Sequence, residues 1–172
     1  MIHIDTKAQN KKNSLLQSPR LYNEIIHYLD THWNTTPNLV AISQLDESFG
    51  FPSKKLDIAT VSGTTGKSTT IYFASKLLQE EGIKVGAFYT PHIISYNERF
   101  VINNEQISNK TFTALANKVI QTAEDKKIAA SSKDILTMMA FLFFKENDVN
   151  IAIFENSGTY SLDPVLYCDV KI

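Results

Sequence analysis

The feature that most constrains the fold lies between Ile58 and Tyr89. Ile58-Ala59-Thr60-Val61 is a short apolar run that passes straight into Gly63-Thr64-Thr65-Gly66-Lys67-Ser68-Thr69. Beyond the turn, Ile71, Phe73, Ala74, Leu77 and Leu78 recur at helical spacing up to Gly82, and Val85 to Tyr89 is a second apolar run. The pattern predicts strand, glycine-bearing turn, helix capped by glycine, and strand: one βαβ unit. In such a turn the backbone N–H groups can converge on phosphate oxygens. The following helix adds its positive N-terminus, Lys67 a point charge, and Ser68 or Thr69 a hydroxyl for magnesium. Val61 stands where the commonest form of this loop has its first glycine, so the loop is a variant of it.

The flanking chain extends the α/β pattern. Residues 1–17, rich in Lys, Asn and Gln, read as a flexible arm. Ser18-Pro19 predicts the start of a helix with Leu21, Ile25, Ile26 and Leu29 on one face. Thr35 to Ser53 reads as a mixed connection and a weak candidate for a domain boundary. Asn103-Asn104 predicts a small hairpin between Arg99–Ile102 and Glu105–Ile107. Ser108 can cap a helix whose Phe112, Leu115, Ala116, Val119, Ile120 and Ala123 share a face. A second apolar helix over 133–146 leads to the strand Val149–Phe154, with Glu155 at its C-terminal end. Alternating helices and strands predict a parallel sheet covered on both faces, with a ligand site at the carboxyl ends of its strands.

Composition narrows the function classes. In 172 residues, 17 Lys and Arg nearly balance 18 Asp and Glu, and Arg20 and Arg99 are the only arginines. That balance argues against a nucleic-acid binder or a membrane-surface protein. The longest oily stretch, Ile135 to Phe144, is too short to span a bilayer, and Met1 to Ser18 has no apolar signal-peptide core. A cytoplasmic location is expected, and the lone Cys168 gives no sign of an oxidising compartment.

Several motifs resemble the folylpolyglutamate synthase and dihydrofolate synthase branch of the Mur ligase superfamily. The family's G-T-N-G-K-G-S is matched by Gly63 to Thr69, and its Y-T-S-P-H by Phe88-Tyr89-Thr90-Pro91-His92. F-N-E-R is matched by Tyr96-Asn97-Glu98-Arg99, and I-N-G-E-x-I-S by Ile102 to Ser108. The L-T-x-x-A-F-x-x-F helix appears as Leu136 to Phe144, and E-x-G-x-G-G-R-L-D-A-T-N aligns on Glu155 to Leu166. The resemblance implies a three-layer, parallel-sheet P-loop fold like the Mur ligase central domain. Residues 18–172 would form the N-terminal part of its ATP-binding domain, truncated, with the C-terminal domain absent.

The activity implied is ATP-dependent amide ligation: ATP activates a folate or dihydropteroate carboxylate as an acyl phosphate, and the amine of glutamate displaces phosphate. By the same resemblance Gly63, Thr64, Thr65, Gly66, Lys67, Ser68 and Thr69 bind ATP, and Thr90 and Glu155 hold magnesium. A hydroxyl and a carboxylate suit that hard cation. No catalytic residue is assigned. The alternative is an inactive remnant, or one part of a split protein with a complementing chain, that at most binds ATP. In the last motif Ser157, Thr159, Tyr160 and Ser161 replace the family's glycine-rich turn and arginine, and Leu166 its asparagine. Other polar residues read plainly: His92 as a surface or packing residue, Glu98–Arg99 as an exposed hairpin pair, Asp134 as a helix cap or a site acid. Met138, Met139, Phe141, Phe143 and Phe144 read as core.

Overall fold

A computed structural model describes residues 18–33, 39–156 and 163–167. In chain order the elements are α1 (Tyr22–Thr31), α2 (Leu39–Ser48), β1 (Ile58–Val61), α3 (Lys67–Glu80), β2 (Val85–Phe88), β3 (Phe100–Ile102), β4 (Glu105–Gln106), α4 (Asn109–Asp125), α5 (Ser132–Glu146) and β5 (Ile151–Glu155). Short 3-10 turns lie at Pro52–Lys55, Tyr96–Arg99 and Pro164–Tyr167. The arm at 1–17, the altered turn at 157–162 and an edge strand expected at 169–172 lie outside the described residues.

The sheet runs β1-β5-β2-β3-β4. β5 lies between β1 and β2 and is parallel to both, with Val61 opposite Glu155 and Phe88 opposite Phe154. The parallel sheet expected from the sequence is therefore its core, and the hairpin adds β3 and β4 antiparallel at one side. Asn103 and Asn104 make that addition possible, because both take positive φ, 48° and 67°, which a two-residue hairpin turn requires.

Side chains alternate across the sheet with period two. Ala152, Phe154 and Phe88 face the larger core with α5, while Ile153, Val85 and Ala87 face Ile71 of α3. Helix α3 thus covers one face and α5, backed by α1, α2 and α4, the other: three layers. Phe154 carries the contact, meeting Phe88, Phe141 and Phe144 with ring centroids 5.3–5.7 Å apart. Met138, Met139, Phe141 and Phe144 are fully buried and Phe143 nearly so, as expected. None of the described helices is long and apolar enough to cross a membrane.

Two local expectations are corrected. The first helix starts at Tyr22 rather than at Pro19, and its N-terminus is closed by Glu24, whose carboxylate accepts from the Leu21 N–H at 2.6 Å. Leu21 is left exposed, while Ile25 and Leu29 are buried. The supposed connection before β1 contains α2, whose Ala41, Ile42 and Leu45 join the main core. No boundary falls there: the buried Asp46 accepts from both the N–H and the hydroxyl of Ser53, tying α2 to the turn ahead of β1. The cap expected at Ser108 forms; a second lies at Ser131, and Asp134 takes the capping role in it by accepting from the Ser131 N–H and hydroxyl.

Helix α5 approaches β2 closely. A Cβ added at Gly86 would lie 2.6 Å from the Phe144 ring, which is fully buried. Gly86→Ala should lower unfolding stability in urea by about 1–3 kcal/mol through overpacking, and Phe144→Leu in the same chain should restore part of it.

The connection from β2 to β3 is held by one carboxylate. Glu98 accepts from the N–H groups of Ile93, Ile94 and Ser95 at 2.8, 2.9 and 2.8 Å, which presents Ile93 and Ile94 to solvent at about 90% exposure. The Ile93 and Ser95 bonds are the main cause of a Glu98 pKa below the ordinary glutamate value. Such a group stabilises the fold above the ordinary value, and the contribution is lost as pH falls through its own lower pKa. The melting-temperature difference between wild type and Glu98→Gln should therefore be largest near neutral pH and shrink toward pH 3.

Candidate functional site

Three strand ends and one helix start meet at a single carboxylate. Glu155 closes β5 and is 3% exposed. The Ser68 hydroxyl, in the first turn of α3, donates to both its oxygens at 3.0 and 2.9 Å. Lys67 Nζ stands 3.8 Å from Oε1, and the Thr90 N–H, just past β2, donates to Oε2 at 3.3 Å. The Asn156 N–H bonds the Val61 carbonyl at 2.9 Å, so the register with β1 persists one residue past the carboxylate. A buried carboxylate is costly unless paired and hydrogen-bonded, and these donors from α3 and the β2 end supply what β5 alone cannot.

The loop between β1 and α3 has the conformation its glycines allow. Gly63 and Gly66 have φ of 153° and 82°, and Gly66 caps α3 in the left-handed region. Residues Ser62 to Gly66 are exposed. The N–H groups of Thr64, Thr65 and Gly66 engage no carbonyl among the described residues. Lys67 Nζ folds back on the loop and donates to the Gly63 carbonyl at 2.9 Å. Exposed donors, a helix N-terminus and a lysine leaning over them form a cradle for an oxyanion.

Of the two candidate hydroxyls, Ser68 and not Thr69 reaches Glu155. Both residues line an open cleft of about 520 Å3 with Tyr72, Tyr89, Pro91 and Ile93. Ser68 occupies the position where the motif of the resembled family has glycine. Thr90 lies beside Glu155 and meets it through its N–H; its hydroxyl accepts from Arg99 NH1 at 3.0 Å.

Arg99 is the residue that sequence reasoning misplaced. Rather than pairing with Glu98 at the surface, it is 3% exposed, with its guanidinium over the rings of Trp33 and Tyr96 at 5.2 and 5.7 Å. Nε donates to His92 Nδ1 at 2.8 Å, and the half-buried His92 ring also packs on Tyr96, so of the two readings of His92 the packing one holds. Burial lowers the Arg99 pKa to about 10, and burial followed by the Arg99 charge lowers that of His92. Near neutral pH Arg99 is charged. The one available signal was the choice of arginine itself: with two arginines among 17 basic residues, one in a turn ahead of a strand marks a fixed, stacked donor.

No protein-family model matches the chain. Among curated proteins it is 37% identical over 124 residues to the dihydrofolate synthase/folylpolyglutamate synthase of Bacillus subtilis, covering 69% of this chain and 29% of that protein. Its fold superposes on folylpolyglutamate synthase from Thermotoga maritima with a TM-score of 0.75 at 29% identity, over 86% of this chain and 35% of that one. The bifunctional folylpolyglutamate synthase/dihydrofolate synthase of Yersinia pestis, complexed with AMPPNP and Mn ion, superposes with a TM-score of 0.79 at 25% identity, over 89% and 38%. The chain thus spans 29–38% of these relatives' length. Within that span the loop, the Glu155 strand end and the flanking motifs run in one order on one fold, and over it the chain is similar in sequence and structure to the folylpolyglutamate synthases and dihydrofolate synthases.

Proposed function

We propose that this chain is the nucleotide-binding part of an ATP-dependent amide ligase of the folylpolyglutamate synthase/dihydrofolate synthase type, taking folate or dihydropteroate and glutamate as substrates. The observation that carries the reading is the convergence of Lys67, Ser68 and the Thr90 N–H on the buried Glu155, beside a loop with exposed donors. In this reading Thr64, Thr65 and Gly66 direct backbone N–H groups at the triphosphate, and Gly63 lets the backbone turn beneath it. Lys67 leaves the Gly63 carbonyl for a phosphate oxygen, a stronger acceptor. Thr69, next to Ser68 at the wall of the adjoining cleft, offers a second hydroxyl.

Glu155, Ser68 and Thr90 bring a carboxylate and two hydroxyls, the hard oxygen donors that suit magnesium. Magnesium, when bound, neutralises charge on the phosphates as the γ-phosphoryl group moves to the substrate carboxylate. That transfer breaks the β–γ phosphoanhydride bond and yields an acyl phosphate and ADP. The amine of glutamate then attacks the acyl carbon, and inorganic phosphate leaves as the amide forms. Here the chain's residues position and stabilise rather than react, as phosphoryl transfer demands.

Two measurements test the reading. Calorimetric titration with ATP and magnesium should show binding to the wild type and a loss of about 10- to 150-fold in Lys67→Ala, the range of about 1.5–3 kcal/mol for a hydrogen bond to a charged group. Equal affinities would remove Lys67 from the phosphates. Glu155→Gln should keep the wild-type circular dichroism while the gain in ATP affinity on adding magnesium falls away; an unchanged magnesium dependence would make Glu155 a structural residue.

A further inference from the structure

Resting on the nucleotide-binding reading above, the geometry points to Arg99 as a positioning residue that sets the hydroxyl of Thr90 for the magnesium-nucleotide site without itself touching the ligand. Arg99 is buried, yet none of the ion pairs among the described residues includes it. A cation so placed does little for stability that a well-packed apolar side chain would not do better. Its polar contacts lead toward the site: NH1 to Thr90 Oγ1 at 3.0 Å, Nε to His92 Nδ1 at 2.8 Å. The Trp33 and Tyr96 rings hold the plane of the guanidinium, and Tyr96 is itself fixed by donating to Asp30 at 2.7 Å.

Arginine has donors only, so both partners must accept. His92 therefore presents a bare Nδ1 and carries its proton on Nε2. One lone pair of Thr90 Oγ1 is taken by Arg99, and the other remains for a cation. The backbone of the same threonine is anchored to Glu155 through its N–H. Thr90 is thereby held from both ends, by the carboxylate at its backbone and by Arg99 at its hydroxyl. Outer partners of this kind orient a ligand and raise its affinity. Lysine keeps the charge but has no planar fork to serve Thr90 and His92 together.

The test is a double-mutant cycle read by Mn2+ binding, followed by electron paramagnetic resonance in the presence of a non-hydrolysable ATP analogue. Arg99→Lys should weaken Mn2+ binding about 10- to 100-fold in the wild-type background. In a Thr90→Val background the same change should cost less than about twofold. Equal costs in both backgrounds would overturn the inference, because Arg99 would then act independently of Thr90. A wild type that binds Mn2+ and the analogue, with an additive cycle, refutes the role of Arg99 alone; a wild type that binds neither refutes the nucleotide reading and the inference with it.

Two further measurements cover the case in which Arg99→Lys does not fold. Nitrogen-15 resonances of His92 in the wild type should report the Nε2–H tautomer, and a protonated Nδ1 would exclude the Arg99 bond. His92→Leu should weaken Mn2+ binding, while His92→Gln, whose side-chain carbonyl can accept from Nε, should restore it; indistinguishable affinities for these two variants would overturn the inference.

Discussion

A carboxylate buried at the end of a central strand is an electrostatic liability, and the architecture around Glu155 is arranged to answer it. Strand β5 cannot satisfy the group, since its own backbone donors are committed to β1 and β2. Compensation comes from the elements that flank β5: the first turn of α3 through Ser68 and Lys67, and the segment after β2 through Thr90. The loop that reaches round to place Ser68 needs positive φ at Gly63 and Gly66. The order of strands, the glycines of the turn and the polar residues beyond β2 therefore serve one requirement.

That requirement also organises charge at longer range. Arg99 sits behind Thr90, so the carboxylate faces Lys67 and Ser68 on one side and, through one intervening residue, a cation on the other. The two basic residues differ in mobility. Lys67 is a flexible stem resting on a carbonyl, able to exchange that partner for a stronger one, whereas Arg99 is clamped by Trp33, Tyr96 and His92. One can follow a ligand; the other fixes the frame.

Much of this was legible in the sequence where local pattern and tertiary role agree. The β1 to β2 unit announced itself because a β-branched run, two glycines and a helical apolar repeat are short-range signals that burial reinforces. Glu155 was legible as the first charged residue after an apolar strand. Helix α2 was not, because Leu39-Val40-Ala41-Ile42 shows no period by itself; the core selects Ala41, Ile42 and Leu45 and leaves Val40 outside. Arg99 was hidden for a related reason: a charged side chain beside Glu98 reads as a surface pair until the fold brings Trp33, distant in sequence, and His92, from the loop ahead of the hairpin, against it. Ser68 was legible as a hydroxyl, but only the register of β5 against β1 selects it over Thr69.

The contact between Gly86 and Phe144 carries a consequence for variation among relatives. The space above β2 belongs to the aromatic ring, so residues 86 and 144 share one volume and cannot drift separately. A relative that keeps phenylalanine at the second position loses stability with any side chain larger than glycine's at the first. One with a smaller side chain on the helix is free to carry a larger one on the strand. Neither identity alone is diagnostic of this packing; the pair is.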